Sequence, residues 1–153
     1  MAELTAEFLL QLLEPGHSHS AAARLHDANS TPSLDTAWMV QKIREGLPVQ
    51  SFAILLAAIR IPAERLAGLI QIPTRTLARR KVFKTDESER ILRLGRLYQL
   101  ALDLFGDPEE ARGWLLRPLK GLGNVAPLDF ADTEPGAREI ENLLGRLAHG
   151  VFS

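Results

Sequence analysis

The sequence predicts an all-α protein in two helical parts, one built around a helix-turn-helix and a smaller one at the C-terminal end. Three observations predict it. Apolar residues recur at helical spacing along most of the chain, and no segment alternates as a half-buried strand would. Prolines, glycines and cap residues fall where short helices start and stop. Charge is segregated within a formal net charge of −1: residues 60–84 carry seven bases against the single Glu64, and residues 103–153 carry nine acids against five bases.

Residues 3–13 place Leu4, Phe8, Leu9, Leu12 and Leu13 on one side of an amphipathic helix, which Glu14-Pro15-Gly16 stops. Residues 17–33 are rich in Ser, Ala, His and Asn and read as a linker. His17 and His19 stand two apart there without a third ligand nearby, a solvated pair rather than a metal site. A helix over Asp35–Glu45 ends at Gly46, and Pro48 opens the next, with Phe52, Leu55, Leu56 and Ile59 inward. Arg60-Ile61-Pro62 breaks that helix and restarts the chain at Ala63, whose helix buries Leu66, Leu69 and Ile70.

Thr85 reads as the N-cap of the longest helix, with Asp86, Glu87 and Glu89 in the turn where the dipole favours acids. Ile91, Leu94, Tyr98, Ala101 and Phe105 follow a heptad spacing, and Leu97, Leu100, Leu102 and Leu104 widen the face. A helix apolar over so much of its circumference must be covered on several sides. It reads as a spine between the two halves and a candidate dimer contact. Gly106 ends it, Asp107 caps the next helix, and Pro108 occupies the first position. That helix carries Trp114, Leu115 and Leu116 and stops at Arg117-Pro118. Residues 118–133 read as irregular. Thr133 caps a last helix with Ile140, Leu143, Leu144 and Leu147 inward, ended by His149-Gly150. The organisation expected is an N-terminal helix and linker over 1–33, a helix-turn-helix part over 34–84, and a connecting helix with its own domain over 85–153.

A chain of 153 residues is long enough for a real core. It has no cysteine, which excludes disulfides, zinc fingers and thiol catalysis together. No run approaches the roughly 18 apolar residues of a membrane span, and no secretory signal opens the sequence, so no membrane partner and a cytoplasmic location are expected. No phosphate-binding glycine pattern or nucleophile elbow is present, and the acids of the last third are too scattered to form a carboxylate pair. The expectation is a protein that is not an enzyme and holds no cofactor and no metal. A small enzyme using His149 with nearby carboxylates is the distant alternative.

The stretch from Leu66 to Lys81 is the most informative. It reads as a short apolar helix, a tight break at Gln71-Ile72-Pro73, and a second helix with a basic outer side that suits the major groove. At roughly 100° per residue, Leu77 faces the core and Arg75 and Arg79 lie nearly opposite it. Arginine's planar fork binds guanine O6 and N7 together, so Arg75, Thr76 and Arg79 are candidates for base contacts. Thr74, Arg80, Lys81 and Lys84 lie toward the flanks and suit phosphate. Gln71 stands where such turns often use glycine, at a cost if its φ is positive.

The last third carries an ordered set of landmarks: Leu104-Phe105-Gly106-Asp107, Trp114-Leu115-Leu116-Arg117-Pro118, Leu122-Gly123-Asn124-Val125-Ala126-Pro127-Leu128-Asp129, Thr133-Glu134-Pro135-Gly136, and Gly145-Arg146-Leu147-Ala148-His149-Gly150-Val151-Phe152-Ser153. With the helix-turn-helix upstream, residues 35–153 resemble the Xre/MbcA/ParS-type antitoxin family. The resemblance implies an Xre-like helix-turn-helix followed by a small helical toxin-binding domain, in a type II toxin–antitoxin module of the RES–Xre kind. It further implies a RES-domain toxin that consumes NAD⁺ by hydrolysis or phosphorolysis. The antitoxin would be a homodimer that binds operator DNA of its own operon as a repressor and covers the toxin's active-site cleft with its C-terminal region. Trp114, Pro118, Gly123, Pro127, Leu128, Thr133 and Gly136 would shape the toxin-binding domain, and Arg146, His149, Gly150, Val151, Phe152 and Ser153 would sit nearest the cleft.

From the residues alone, Val151-Phe152 past a glycine stop form an apolar tail suited either to plugging a cleft or to folding back on the protein's own core. From the residues alone, Trp114 reads as a core residue rather than a contact hot spot. The rival reading is a stand-alone helix-turn-helix transcriptional regulator whose C-terminal half dimerises or binds a small ligand.

Overall fold

The computed structural model describes residues 2–16 and 36–150, the first helix before Phe8 by backbone only. The described residues form helices joined by short turns, with no strand among them and only two isolated bridge pairings, Pro48 with Val82 and Leu119 with Val125. None of these helices is long and apolar enough to cross a membrane. The chain divides into two compact units between Leu92 and Arg93, inside one helix.

In the first unit, α1 (Ala2–Leu13) packs on α2 (Thr36–Glu45) and α3 (Gln50–Ile59) and is not set apart from them. Leu12 and Leu13 are buried, the Ser51 hydroxyl donates to the Leu12 carbonyl, and Lys42 reaches Glu14 at 2.8 Å. The Ser51 hydroxyl satisfies a carbonyl at the end of α1, where no further helical turn supplies an N–H, and Lys42 neutralises the Glu14 carboxylate beside it. The core continues through Leu47, Leu55, Ile59, Leu66, Ile70 and Ile91, all with no exposed surface. Each such side chain stabilises the fold by about 1.5–3 kcal/mol relative to exposure.

The helix expected from Pro48 begins at Gln50. Pro48 and Val49 are drawn instead into the bridge, where Val49 N–H donates to the Lys81 carbonyl at 3.0 Å and Phe83 N–H to the Leu47 carbonyl at 2.8 Å. This close passage requires Gly46: its φ is +91°, and a Cβ there would lie 2.2 Å from the Phe83 carbonyl oxygen.

α4 (Ala63–Leu69) and α5 (Thr74–Leu77) follow, then α6 (Thr85–Phe105). Thr85 is the first residue of α6 and not its cap. Lys84 occupies the cap position, its carbonyl accepting from Ser88 N–H at 2.8 Å, and Glu87 reaches back to accept Lys84 N–H at 2.8 Å. That is the returning half of a capping box, supplied by the third helical residue.

The second unit takes the rest of α6, then α7 (Pro108–Leu116), a 3₁₀ turn at Lys120–Leu122, α8 (Pro127–Phe130) and α9 (Glu134–Ala148). Asp107 accepts from Glu110 N–H at 3.1 Å and Thr133 from Gly136 N–H at 3.2 Å, two of the three side-chain caps expected from sequence. Residues 118–133 are more regular than their prolines and glycines imply. Leu119 pairs with Val125 across the 3₁₀ turn, Gly123 and Asn124 take φ of +70° and +63°, and Pro127 opens α8. Leu94, Leu97, Ala101, Leu115, Leu128 and Ile140 are buried. Gly136 lets α9 pass over α8, since a Cβ there would lie 1.9 Å from the Phe130 carbonyl oxygen. Arg93–Glu134 at 3.1 Å and Arg96–Glu141 at 3.2 Å add exposed ion pairs, each worth at most about 1 kcal/mol.

Candidate functional site

The helix-turn-helix is built from α4, a turn at residues 70–73, and α5. The turn is a Schellman closure: Ile72 N–H donates to the Ala67 carbonyl at 3.0 Å and Gln71 N–H to the Gly68 carbonyl at 3.2 Å. Gln71 occupies the left-handed position with φ +58°, the conformation that glycine adopts without strain. Ile72 follows it into the core at 3% exposure. Pro73 then fixes the entry to α5 at φ −59°.

The second motif helix is shorter than its sequence suggests. Leu77 and Ala78 donate four residues back, to Pro73 and Thr74, but Arg79 and Arg80 donate only three back, to Thr76 and Leu77. The α-helix therefore ends at Leu77 and tightens to 3₁₀ spacing through Arg80, because the chain must turn to reach the bridge with residues 47–49. Leu77 is half-buried and not fully in the core. Arg75 and Arg79 are exposed, as Leu77's opposite side requires, and Thr76 is half-buried between them. With Arg80 they line an open recess of about 330 Å³. Thr74, Lys81 and Lys84 are exposed around it.

Arg80 differs from its neighbours. Its Nη2 lies 3.2 Å from Glu87 Oε2, and the Glu87 side chain is only 8% exposed. The acidic first turn of α6 is legible in the sequence, but not that one of those acids turns back onto the basic segment. A cross-turn signal of this kind, a base and an acid seven residues apart on either side of a break, has no helical period to reveal it.

In the second unit, the Trp114 ring packs against Phe105 with centroids 6.1 Å apart and planes at 43°, half-buried rather than in the core. The pair sits in an open recess of about 410 Å³ with Glu109, Glu110, Gly113 and Arg117. Pro118 is exposed beside it. α9 buries Gly136, Ala137, Ile140 and Leu144 and turns Glu139, Asn142 and Arg146 outward, with Arg146 at 3.4 Å from Glu139. His149 is the exposed C-cap residue, its N–H donating to the Gly145 carbonyl at 3.1 Å, and Gly150 follows at φ +67°. Asn142 shares the outward face of Arg146 and His149, a placement the sequence reading did not single out. Val151, Phe152 and Ser153 lie outside the described residues, as do His17 and His19.

An exposed basic tip on a helix-turn-helix, followed by a small capped helical unit, places the chain among helix-turn-helix proteins with a second helical domain. The Antitoxin Xre-like helix-turn-helix domain matches residues 39–96, and the Antitoxin Xre/MbcA/ParS C-terminal toxin-binding domain matches residues 100–150. Antitoxin Xre of Yersinia enterocolitica is 40% identical over 120 residues, 75% of this chain and 81% of that protein. Antitoxin Xre of Photorhabdus laumondii is 44% identical over 91 residues, 58% of this chain and 62% of that protein. The Prs ADP-ribosylating antitoxin of Sphingobium sp. is 27% identical over 124 residues, 72% of this chain and 78% of that protein. The chain belongs to the Xre antitoxin family, which is not a family of enzymes, and its two domains imply a cognate toxin and DNA as partners.

Proposed function

We propose that this chain neutralises a RES-domain toxin that consumes NAD⁺, by covering the toxin's active site, and that as a homodimer it represses its own operon. The observation that carries the reading is the toxin-binding domain over residues 100–150 with Arg146, His149 and Gly150 exposed at its end. The sequence continues from there into Val151, Phe152 and Ser153, of which the apolar Val151 and Phe152 have the chemistry to enter a cleft. Trp114 and Pro118 shape a further part of the surface of that domain. Arg75, Thr76 and Arg79 make the base contacts, with Thr74, Lys81 and Lys84 on phosphate and Arg80 held back from it by Glu87. Leu100, Leu102, Leu104 and Phe105 remain half-buried along α6, which supports a partner copy there.

The Sphingobium relative favours a second form of the toxin's chemistry. Its name refers to ADP-ribosylation of Prs. ADP-ribosyl transfer draws on NAD⁺, so hydrolysis, phosphorolysis and transfer to a protein all begin with cleavage of the bond to nicotinamide. The test is to induce the neighbouring gene with and without this chain and follow intracellular NAD⁺ together with ADP-ribose on proteins. Collapse of NAD⁺ that this chain reverses supports degradation. Protein-bound ADP-ribose with little loss of NAD⁺ supports transfer. If neither responds, the toxin reading fails and a stand-alone transcriptional regulator takes its place.

A further inference from the structure

The Glu87 carboxylate is buried, and a buried carboxylate must be compensated locally or it destabilises the fold by several kcal/mol. Two groups compensate it. Lys84 N–H approaches Oε1 at 2.8 Å and Arg80 Nη2 approaches Oε2 at 3.2 Å. Releasing Arg80 would leave the carboxylate with a single hydrogen bond, so Arg80 is held where it stands. The backbone strengthens the hold: Arg80 N–H closes the 3₁₀ end of the recognition turn on Leu77, and Glu87 caps the first turn of α6. One side chain thus fastens the end of α5 to the start of α6 and fixes the platform from which Arg75 and Arg79 project.

We propose that Glu87 is a positioning residue that determines specificity at the DNA interface, acting through Arg80. It does so in two ways. It orients the recognition turn, which favours the operator. It also neutralises one of the cations lining the recess at Arg75, Thr76, Arg79 and Arg80, which weakens binding to any duplex, because non-specific affinity rises with the number of cations released onto phosphate. This inference rests on the proposed DNA binding of the motif.

The test uses the full chain and fluorescence anisotropy with two duplexes of equal length, one from the promoter region of its own operon and one of random sequence, across a salt series. For Glu87→Gln the expected result is a split: operator affinity falls about tenfold, and random-duplex affinity rises about threefold with a salt slope steeper by about 0.9, the value of one added phosphate contact. The double variant Glu87→Gln with Arg80→Gln should lose the random-duplex gain, since no cation is left to release. Persistence of that gain in the double variant would show a general field effect and overturn the action through Arg80. Parallel loss on both duplexes would show a merely structural role and overturn the proposal. Arg80→Lys leaves the carboxylate in place and keeps the charge while losing the planar fork. It should lower the operator-to-random ratio without weakening random binding, and an unchanged ratio counts against the inference even if Glu87→Gln fails to fold. If the unsubstituted chain binds both duplexes equally, the operator reading itself fails, a result separable from any behaviour of the variants.

Discussion

A helix of four residues carries the exposed Arg75 of the first unit, whereas a helix of 15 residues carries the exposed Arg146 of the second. α9 contains most of what it needs. Thr133 caps it, Pro135 lies in its first turn, and a strongly one-sided apolar face buries Ala137, Ile140 and Leu144. A single turn such as α5 cannot sustain itself, because fixing the first helical turn costs more than its one or two hydrogen bonds return. It is held from outside, by the Schellman turn at Gln71 before it and by Glu87 and the bridge to residues 47–49 after it. The proposed DNA surface is therefore a product of tertiary contacts, and the proposed toxin surface is presented by a helix with its own local signals.

If the two surfaces are separately built, they should fail separately. The largest effect is expected from Arg75→Ala combined with Arg79→Ala. Each lost bidentate base contact is worth about 1–3 kcal/mol, so operator affinity should fall by about a hundredfold or more. Toxin neutralisation, read as restored NAD⁺ in cells, should be unchanged; loss of both functions would refute separate surfaces. Removing residues 149–153 is the mirror experiment. Loss of a tail that anchors an interface costs on the order of 2–4 kcal/mol, enough to impair neutralisation at equal expression while operator binding stays normal. Full protection by the shortened chain would remove the tail from the toxin site.

Glycines sharpen the comparison at the level of stability. Gly46→Ala forces a side chain into left-handed backbone and against Phe83, whereas Gly136→Ala places one against Phe130 within helical backbone. The first should destabilise its unit by about 2–4 kcal/mol and the second by about 1–3 kcal/mol, measured by urea unfolding. Gly46 abuts the segment that follows the recognition turn, so its variant should also weaken operator binding more than neutralisation. The opposite pattern is expected for Gly136→Ala. Equal loss of both functions in either variant would show that the units do not act apart.

This difference also explains what could be read from the sequence. The all-α class, Gly106-Asp107-Pro108, Thr133 and the end of α9 at His149 were legible because each is a local signal within one helix or its cap. The family resemblance was legible for a similar reason, as landmarks in fixed order. Thr85 reads as a cap because local preference favours Thr over Lys at that position; Glu87, three residues on from Lys84, overrides it by turning back onto the Lys84 N–H. The short α5 and the late start of α3 share one hidden cause, the bridge between Pro48 and Val82, which joins segments far apart in the chain. Arg75, Thr76, Arg79 and Arg80 lie around one recess, as their closeness in sequence implies, yet the captivity of Arg80 is not legible there, since it depends on a buried acid across a turn.

The smallest predicted effect tests the turn that introduces α5. Gln71 is exposed and holds φ +58° to complete the Schellman closure, so its side chain contributes strain to the turn without burial in return. Gln71→Gly removes that strain but adds conformational freedom to the unfolded chain, and the two effects partly cancel. The net expectation is a stabilisation of about 0.5–1 kcal/mol by urea unfolding, with operator affinity unchanged or slightly higher. Gln71→Val, β-branched at the same position, should destabilise by about 1–2 kcal/mol and weaken operator binding with neutralisation retained. If Gly and Val behaved alike, the turn would not be fixing the recognition segment, and the orientation of Arg75 and Arg79 would rest on Glu87 and the bridge alone.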